Sequence, residues 1–494
     1  MKNILIAIRS IFKKGRHNVM KIVSLGIGLA VGLVLIAKVY FEQSYDDFYP
    51  DRDRVYQVWA KYQQNGGELK DYPQTSGGIA PTMQQQIPEI ETVTRYTSFG
   101  DWTFTMTDTK MKYSGRCIIA DSCFFDILPR PMLIGNAKEV LSTPMYVLVS
   151  SRIAKNIGGD VIGKNFTVDS SPGRTMTIGG VFEEVPENSH SRYDVIVSMA
   201  SAGRFMWEGS PTNMLGNDRY ISYVKLHKGV NPLALEEQVH TFVNSYFPPE
   251  EQQKTGFNIG FSFHELDGLH KELPQVKRMT WILSLLAFAL IFTAGMNYIL
   301  IVISSIVNRS KEVAVHKCYG ASENNIHGMV FGEALVHIVL SLILALLLIL
   351  AFRGTVEELL ATSLDSLLLS NGSLVLLGIC ILVFFVSGFM PGSLYARIPV
   401  ASAFRNYREN KRIWKKALLL VQFVATGFLV TMLVFVARQY TFMVNDRPGY
   451  AYENLAYCGL AGVDSTSRAK ILDEVMRLPG VVAATTVYQL PFEH

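Results

Sequence analysis

A chain of 494 residues that is 49% hydrophobic, with a mean hydropathy of +0.21, is more apolar than an ordinary soluble protein. It is also too polar to be membrane helices alone, so helices in lipid combined with a sizeable polar domain fit the composition. A formal net charge of +4 gives no ground for a nucleic-acid partner, and the distribution of charge carries the information instead.

Residues 1–20 place Ile4, Leu5, Ile8, Ile11 and Phe12 at helical spacing among basic residues. That pattern predicts an amphipathic helix on the cytoplasmic membrane surface, or a cytoplasmic extension of the helix that follows. An apolar run of about 20 residues is needed to cross a bilayer, and within it the backbone must be helical to satisfy its own polar groups. Five stretches meet or approach that length: Ile22–Phe41 (interrupted by Lys38), Trp281–Val307, Met329–Phe352 with Glu333 and His337 inside it, Ser373–Met390, and Ala417–Ala437. The first has too long a leader and no small-residue cleavage site, so it reads as a retained anchor.

Charge orients these helices. Lys2, Arg9, Lys13, Lys14, Arg16 and Lys21 precede the first, and Glu42, Asp46, Asp47 and Asp51 follow it. The N-terminus is therefore predicted to be cytoplasmic. Alternation then puts Arg309, Lys311 and Lys317, and the run Arg397, Arg405, Arg408, Lys411, Arg412, Lys415 and Lys416, on the same side. The expected organisation is a cytoplasmic helix over 1–20 and membrane helices over 21–41, 278–307, 326–352, 373–390 and 417–437. Cytoplasmic segments follow at 308–325 and 391–416. An extracytoplasmic domain spans 42–277, a loop 353–372, and a second extracytoplasmic domain begins over 438–494.

The segment 42–277 is long enough for its own core. "MYVLVS" (Met145–Ser150) and "TMTIGGVF" (Thr175–Phe182) read as strands, "SRIAKNIGG" (Ser151–Gly159) as a helix closed by glycine, and "ALEEQVHTFVNSYF" (Ala234–Phe247) as an amphipathic helix. The expected fold class is an α-helical transmembrane bundle of about five helices with a large α+β domain inserted between helices 1 and 2. The loop Pro186–His190 reads as turn chemistry. A weak repeat relates "MQQQIPEIETVTRY" (Met83–Tyr96) to "ILDEVMRLPGVVAATTVY" (Ile471–Tyr488): each is a helix running into a proline, then a strand-like run. On this reading 405–494 starts a second copy of 1–280, cut short.

No catalytic motif appears. Gly163-Lys164-Asn165 lacks the remainder of a phosphate loop, and H-E-x-x-H, G-x-S-x-G and C-x-x-C are absent. The ten histidines are scattered, and no metal-ligand spacing links them to the five cysteines. Cys117 and Cys123 are open to either a local disulfide or free thiols. Glu333 and His337 are the ionisable residues inside the third run. The bland reading of Glu333, a snorkelling or helix–helix polar contact, is preferred to conformational coupling or ion transport. Asn297 and Tyr298 are expected to hydrogen-bond between helices.

Between the second and third runs lies "NRSKEVAVHKCYGAS" (Asn308–Ser322). Its Arg309, Glu312, Lys317, Gly320 and Ala321, with Val313 and Val315, resemble the cytoplasmic loop of the FtsX/MacB-like ABC transporter permeases; His316 stands where the family usually has arginine. "EQSYDDFYPDRDRVYQV" (Glu42–Val58), the stretch Phe124–Lys164, "GVFEEVPENSHSRYDVIVS" (Gly180–Ser198) and "YARIPVASAFR" (Tyr395–Arg405) carry the likeness across almost the whole chain, and Glu333 matches a glutamate common at the start of the third helix.

The resemblance implies a MacB-like periplasmic core domain over 42–277, a multi-pass protein of the bacterial inner membrane, and the fused two-repeat form of the family. It implies a non-catalytic permease subunit whose ABC ATPase partner binds ATP and Mg. That partner would dock on Arg309, Glu312, Val313, Val315, His316, Lys317, Gly320 and Ala321 as a coupling helix. On this view Val313 and Val315 fill pockets on the partner, and Gly320 stops the helix. A second permease chain or repeat, membrane lipids and an extracytoplasmic protein are the other implied partners. A membrane-anchored receptor or scaffold without an ATPase is the competing reading.

Overall fold

The computed structural model describes residues 17–169, 171–216, 218–368, 372–396, 413–445, 454–460, 463 and 465–487. The expected amphipathic helix over 1–20 therefore lies outside the described residues up to Arg16, as do the basic stretch 397–412 and most of the motif Tyr395–Arg405. Contacts divide the chain into two compact units: a helical one, which includes the chain up to Tyr45, Pro186–Asn188 and the residues from His270 to Asn445, and a mixed one built from Asp46–Val185 and Ser189–Leu269.

The chain enters the helical unit through α1 (Asn18–Gln43). Leu25, Leu29, Leu33, Ala37 and Phe41 are buried along one face, while Val23, Ile27 and Val31 on another are 40–51% exposed. An apolar face left exposed at helical spacing is what lipid covers in a membrane helix.

The mixed unit has a sheet of eleven strands. In chain order these are β1 (Val55–Gln64), β2 (Lys70–Tyr72), β3 (Ile90–Met106), β4 (Lys112–Ala120), β5 (Met132–Ile134), β6 (Tyr146–Ser150), β7 (Asn165–Val168), β8 (Ser171–Phe182), β9 (Val195–Ser198), β10 (Ile221–Leu226) and β11 (Phe257–Glu265). The order is β11-β1-β10-β3-β4-β9-β6-β8-β5, with β2 beside β1. Because β7 pairs with both β3 and β8, the strands β3, β4, β9, β6, β8 and β7 close a ring. Phe104, Met106, Ile119, Val149, Phe166 and Val197 are among the residues that fill one core there. Most pairs are antiparallel, but β4–β9 and β6–β8 are parallel. That mixture, with helices, is the expected α+β arrangement.

Helices α2 (Ile79–Gln86), α3 (Ser151–Ile157) and α4 (Glu236–Tyr246) belong to this unit. Ile79, Met83, Val239 and Phe242 from α2 and α4 pack with Tyr56, Val58 and Val224 of the sheet. α3 starts where Ser150 Oγ accepts from the Ile153 amide at 3.3 Å and ends at Gly158, whose φ of +76° suits glycine. Cys117 and Cys123 are free thiols; Cys117 sits in the ring core, where burial pushes its pKa up.

The helical unit continues with α5 (Pro274–Ser304), α6 (Ile306–Cys318), α7 (Glu323–Ala351), α8 (Ser373–Ala396) and α9 (Ile413–Asn445). Among the described residues five helices are long and apolar enough to span a membrane: α1, α5, α7, α8 and α9. α1 packs against α5 and α7. Gly28 and Gly32 let α1 and α5 approach closely, since a Cβ at Gly28 would collide with Ala294 Cβ and one at Gly32 with Ile291 Cγ1. The helix over 413–445 is longer than the expected 417–437 at both ends.

After it, α10 (Ser465–Met476) matches the helix expected there. The strand-like run after Pro479 forms no strand over 481–487, whereas its counterpart after Pro88 is β3. The difference is pairing. β3 hydrogen-bonds to β10 and β4, and no described strand pairs with 481–487.

Candidate functional site

The segment expected to carry function is a helix and a tight turn. α5 passes through Ser305, whose Oγ donates to the Val302 carbonyl at 2.6 Å and whose φ and ψ of −79° and −6° stay near helical values. α6 then runs to Cys318, so only one residue separates it from a 31-residue helix. Ser310, Val313 and Ala314 are buried at 2%, 1% and 1% exposure, at the i, i+3, i+4 positions of one stripe. Val313 and Ala314 share a core with Ile303, Ile326 and Val330.

On the other side Lys311, Val315, His316, Cys318 and Tyr319 are exposed, Val315 at 44% and Tyr319 at 88%. The helix closes in a Schellman turn. The Gly320 amide donates to the Lys317 carbonyl at 3.0 Å, and the Ala321 amide donates to the His316 carbonyl at 3.0 Å. Gly320 holds φ of +84°, and the space around its α-carbon is open, so the demand for glycine there is conformational. Ser322 Oγ then accepts from the Asn325 amide at 3.3 Å and caps α7, with Glu323 in the first turn.

Each expected residue can now be placed. Arg309 lies on the backbone of α6; Glu312, Lys317 and Ala321 are partly buried; Val315, His316 and Gly320 are exposed. Val313 differs from expectation. Its side chain is packed inside the chain's own bundle, because it falls on the buried stripe of α6, and it is not available to fill a pocket elsewhere. Tyr319 was missed: at 88% exposure it stands further out than Val315, and its place before the helix-ending glycine was the available signal.

Inside the bundle Asn297 Oδ1 accepts from Gln422 Nε2, linking α5 to α9. Tyr298 Oη lies 3.2 Å from His337 Nδ1, linking α5 to α7. Glu333 is 6% exposed, one turn before His337. Burial on this scale fits the helix–helix polar contact expected for Glu333 rather than its snorkelling alternative, because a carboxylate reaching for the interface would be exposed. His316, His327 and His337 are exposed, partly buried and buried respectively, and do not converge. Lys21, read as part of a cationic flank, is buried and donates to Asn18 Oδ1 at 3.2 Å.

A second polar cluster had no sequence forecast. Lys38 Nζ lies 2.7 Å from Glu42 Oε1 and donates to Thr362 Oγ1 at 2.7 Å; Glu42 Oε2 lies 2.6 Å from His270 Nε2. The His270 ring stacks on Tyr45 at 3.6 Å. The short segment Pro186–Asn188 adds two more ties in the same unit. Glu187 Oε2 accepts from the Ser363 amide at 3.0 Å, and Asn188 Nδ2 donates to the Ser44 carbonyl at 2.6 Å. The i,i+4 spacing of Lys38 and Glu42 was visible, but the partners His270 and Thr362 are hundreds of residues away and no local pattern announces them.

Comparison with known proteins gives the family. The model described as MacB-like periplasmic core domain matches residues 20–242, and the FtsX-like permease C-terminal model matches residues 284–400. No curated protein matches. Among solved structures, a domain of a protein described as a permease from Porphyromonas gingivalis is 32% identical, covering 44% of this chain and 91% of its own, with a TM-score of 0.41. The periplasmic region of MacB from Actinobacillus actinomycetemcomitans is 15% identical, covering 44% and 92%, with a TM-score of 0.31. The extracellular domain of the noncanonic ABC-type transporter YknZ from Gram-positive bacteria is 10% identical, covering 42% and 98%, with a TM-score of 0.30. With a periplasmic core model and a permease model matched in succession along one multi-helix chain, the protein belongs to the FtsX/MacB-like ABC transporter permeases.

Proposed function

We propose that this permease couples ATP hydrolysis by a separate ABC ATPase to motion of its extracytoplasmic domain, for export or for mechanical signalling across the membrane. The chain itself does no chemistry on this reading, and the partner binds ATP and Mg. The N-terminus and α6 face the cytoplasm of a bacterial inner membrane, as the basic residues around them favour. A second permease chain or repeat completes the assembly, and membrane lipids surround the helices.

The observation that carries the reading is the construction of α6. One stripe is anchored by Val313 and Ala314 in the bundle, while Val315 and Tyr319 stand exposed one helical turn apart. An apolar and aromatic pair held on a stiff, anchored helix suits a docking surface, since aromatic anchors dominate such contacts. On this reading Glu312, His316 and Lys317 supply a polar rim, Arg309 belongs to the same helix, and Gly320 and Ala321 set the turn. Near continuity with α5 through Ser305 lets a push on α6 reach the membrane helix without a slack linker.

The test is co-purification of the full chain with the ABC ATPase of its own host, parent beside Tyr319→Ala and Val315→Asp. Loss of the ATPase from both variants, with unchanged thermal unfolding, supports docking. Retention by both defeats it and favours the receptor or scaffold reading.

A further inference from the structure

β1 carries a run of apolar and aromatic residues along one face. Along this strand Val58, Ala60, Tyr62 and Gln64 share one face. Opposite them on β11 stand Phe263, Phe261, Ile259 and Phe257, and Tyr72 and Lys70 of β2 lie opposite Ala60 and Tyr62. Val58 shares a core with residues of α2 and α4, and both it and Ala60 are 0% exposed. Past Ala60 burial falls along the strand, Tyr62 being partly buried and Gln64 exposed, while the aromatic pattern continues. Tyr62 sits 5.5 Å from Tyr72 and 5.3 Å from Phe257 between ring centroids, and Tyr72 is 44% exposed.

A cleft of about 800 Å³ occupies this end of the face, and Glu68, Lys70, Leu215 and Asp218 line it together with the rings of Tyr62, Tyr72 and Phe257. The size suits a drug-sized or short peptidic ligand. Its charge is one-sided, with Glu68 and Asp218 lining it against Lys70. Asp218 is fixed at both oxygens: Tyr62 Oη donates to Oδ2 at 2.6 Å, and Ser76 Oγ donates to Oδ1. Burial, reinforced by the Asp218 charge, pushes the Tyr62 phenol well up, so it remains a donor throughout the ordinary pH range. Neither Glu68 nor Asp218 has a salt bridge among the described residues.

We propose that this cleft binds an amphipathic organic cation, an ammonium or guanidinium group carried on an apolar or aromatic body. The faces of Tyr62, Tyr72 and Phe257 attract a cation through their quadrupoles, and the two carboxylates complete its charge. Leu215, 52% exposed, offers apolar surface to the remainder of the ligand. An anion of the same shape meets the same rings but the wrong charge. The proposal is independent of ATPase docking, because it concerns the chain alone without nucleotide.

Calorimetric titration of the full chain in lipid nanodiscs tests it, using N-acetyl-tryptophyl-arginine amide beside N-acetyl-tryptophyl-glutamate. The cationic peptide is expected to bind saturably and at least about tenfold more tightly, as opposed charges at one partly desolvated site imply. Glu68→Gln and Tyr72→Ala are each expected to weaken it about two- to fivefold, the range of an exposed cation–π contact, while Tyr72→Phe keeps the parent affinity. Equal binding of the two peptides, no saturable binding of either, or parent affinity in both weakening variants overturns the proposal. Should Tyr72→Ala unfold, the exposed and unpaired Glu68 decides alone.

Discussion

At one end of the bundle Lys38, Glu42, His270 and Thr362 satisfy one another away from solvent; at the other, α6 leaves Val315 and Tyr319 uncovered beside a turn that only glycine adopts easily. Both ends lie in the same unit and are made by the same helices, α1 and α5 with their continuations. The closed end spends its polar groups on internal partners, so its residues bear on stability. The open end separates support from exposure within a few residues of one helix, so its residues divide between stability and binding.

The largest effect is expected at the closed end. Lys38 and Glu42 side chains are 9% and 8% exposed, and removing one leaves the other buried with only its remaining partner, His270 for Glu42 and Thr362 for Lys38. Lys38→Met should cost about 3–5 kcal/mol. The double variant Lys38→Met with Glu42→Gln should recover much of that loss, because no uncompensated charge remains. Thermal unfolding of the four members of this cycle in detergent measures it. Additive losses would mean that the pair is not a unit and that this end is not closed in the sense argued.

Next in size is a comparison inside α6. Val313→Ala removes buried methyl groups from the bundle core and should cost about 2 kcal/mol. Val315→Ala, two residues on and 44% exposed, should stay within about 0.5 kcal/mol while weakening ATPase retention. Equal stability losses would erase the distinction between support and exposure. Gly320→Ala should cost about 1–2 kcal/mol for a side chain in the left-handed region, with no steric clash to add. Gly320→Asn should recover part of this, since asparagine tolerates that conformation. A null effect of Gly320→Ala on unfolding would show that the turn relaxes.

These contrasts also explain what the sequence could tell. The five membrane helices were legible because lipid demands long unbroken apolar runs, a signal that needs no knowledge of partners. The end of α6 was legible because Gly320 marks a conformation rather than a contact. The two faces of α6 were not. Val313 and Val315 are the same residue type two positions apart, and only the packing of α6 on the bundle tells the buried one from the exposed one. The Lys38 cluster was hidden for a related reason: Lys38 interrupts an apolar run, and His270 and Thr362, which make that interruption tolerable, come from distant segments. The run over 481–487 had strand character, and character without a pairing strand does not make a strand.

The smallest expected effect sharpens the role of burial. Asp51 of the mixed unit also has two cationic partners, Lys225 Nζ at 2.6 Å and Arg54 Nη2 at 2.9 Å, but its side chain is 39% exposed. Hydrogen bonds from Lys225 and then Arg54 hold its pKa down to about 2. A carboxyl depressed in the folded state stabilises it above the unfolded value, near 3.8, and that contribution is lost as pH falls toward about 2. Solvent screening discounts the pair to roughly 1 kcal/mol or less, well below the cost expected at Lys38. Asp51→Asn should therefore lower the unfolding temperature slightly at pH 7 and flatten its fall between about pH 4 and pH 2. Unfolding followed across that window, at low and high salt, measures the effect, and salt should shrink the difference between parent and variant. A loss as large as that of Lys38→Met would mean that partner number, rather than burial, sets the value of these polar ties.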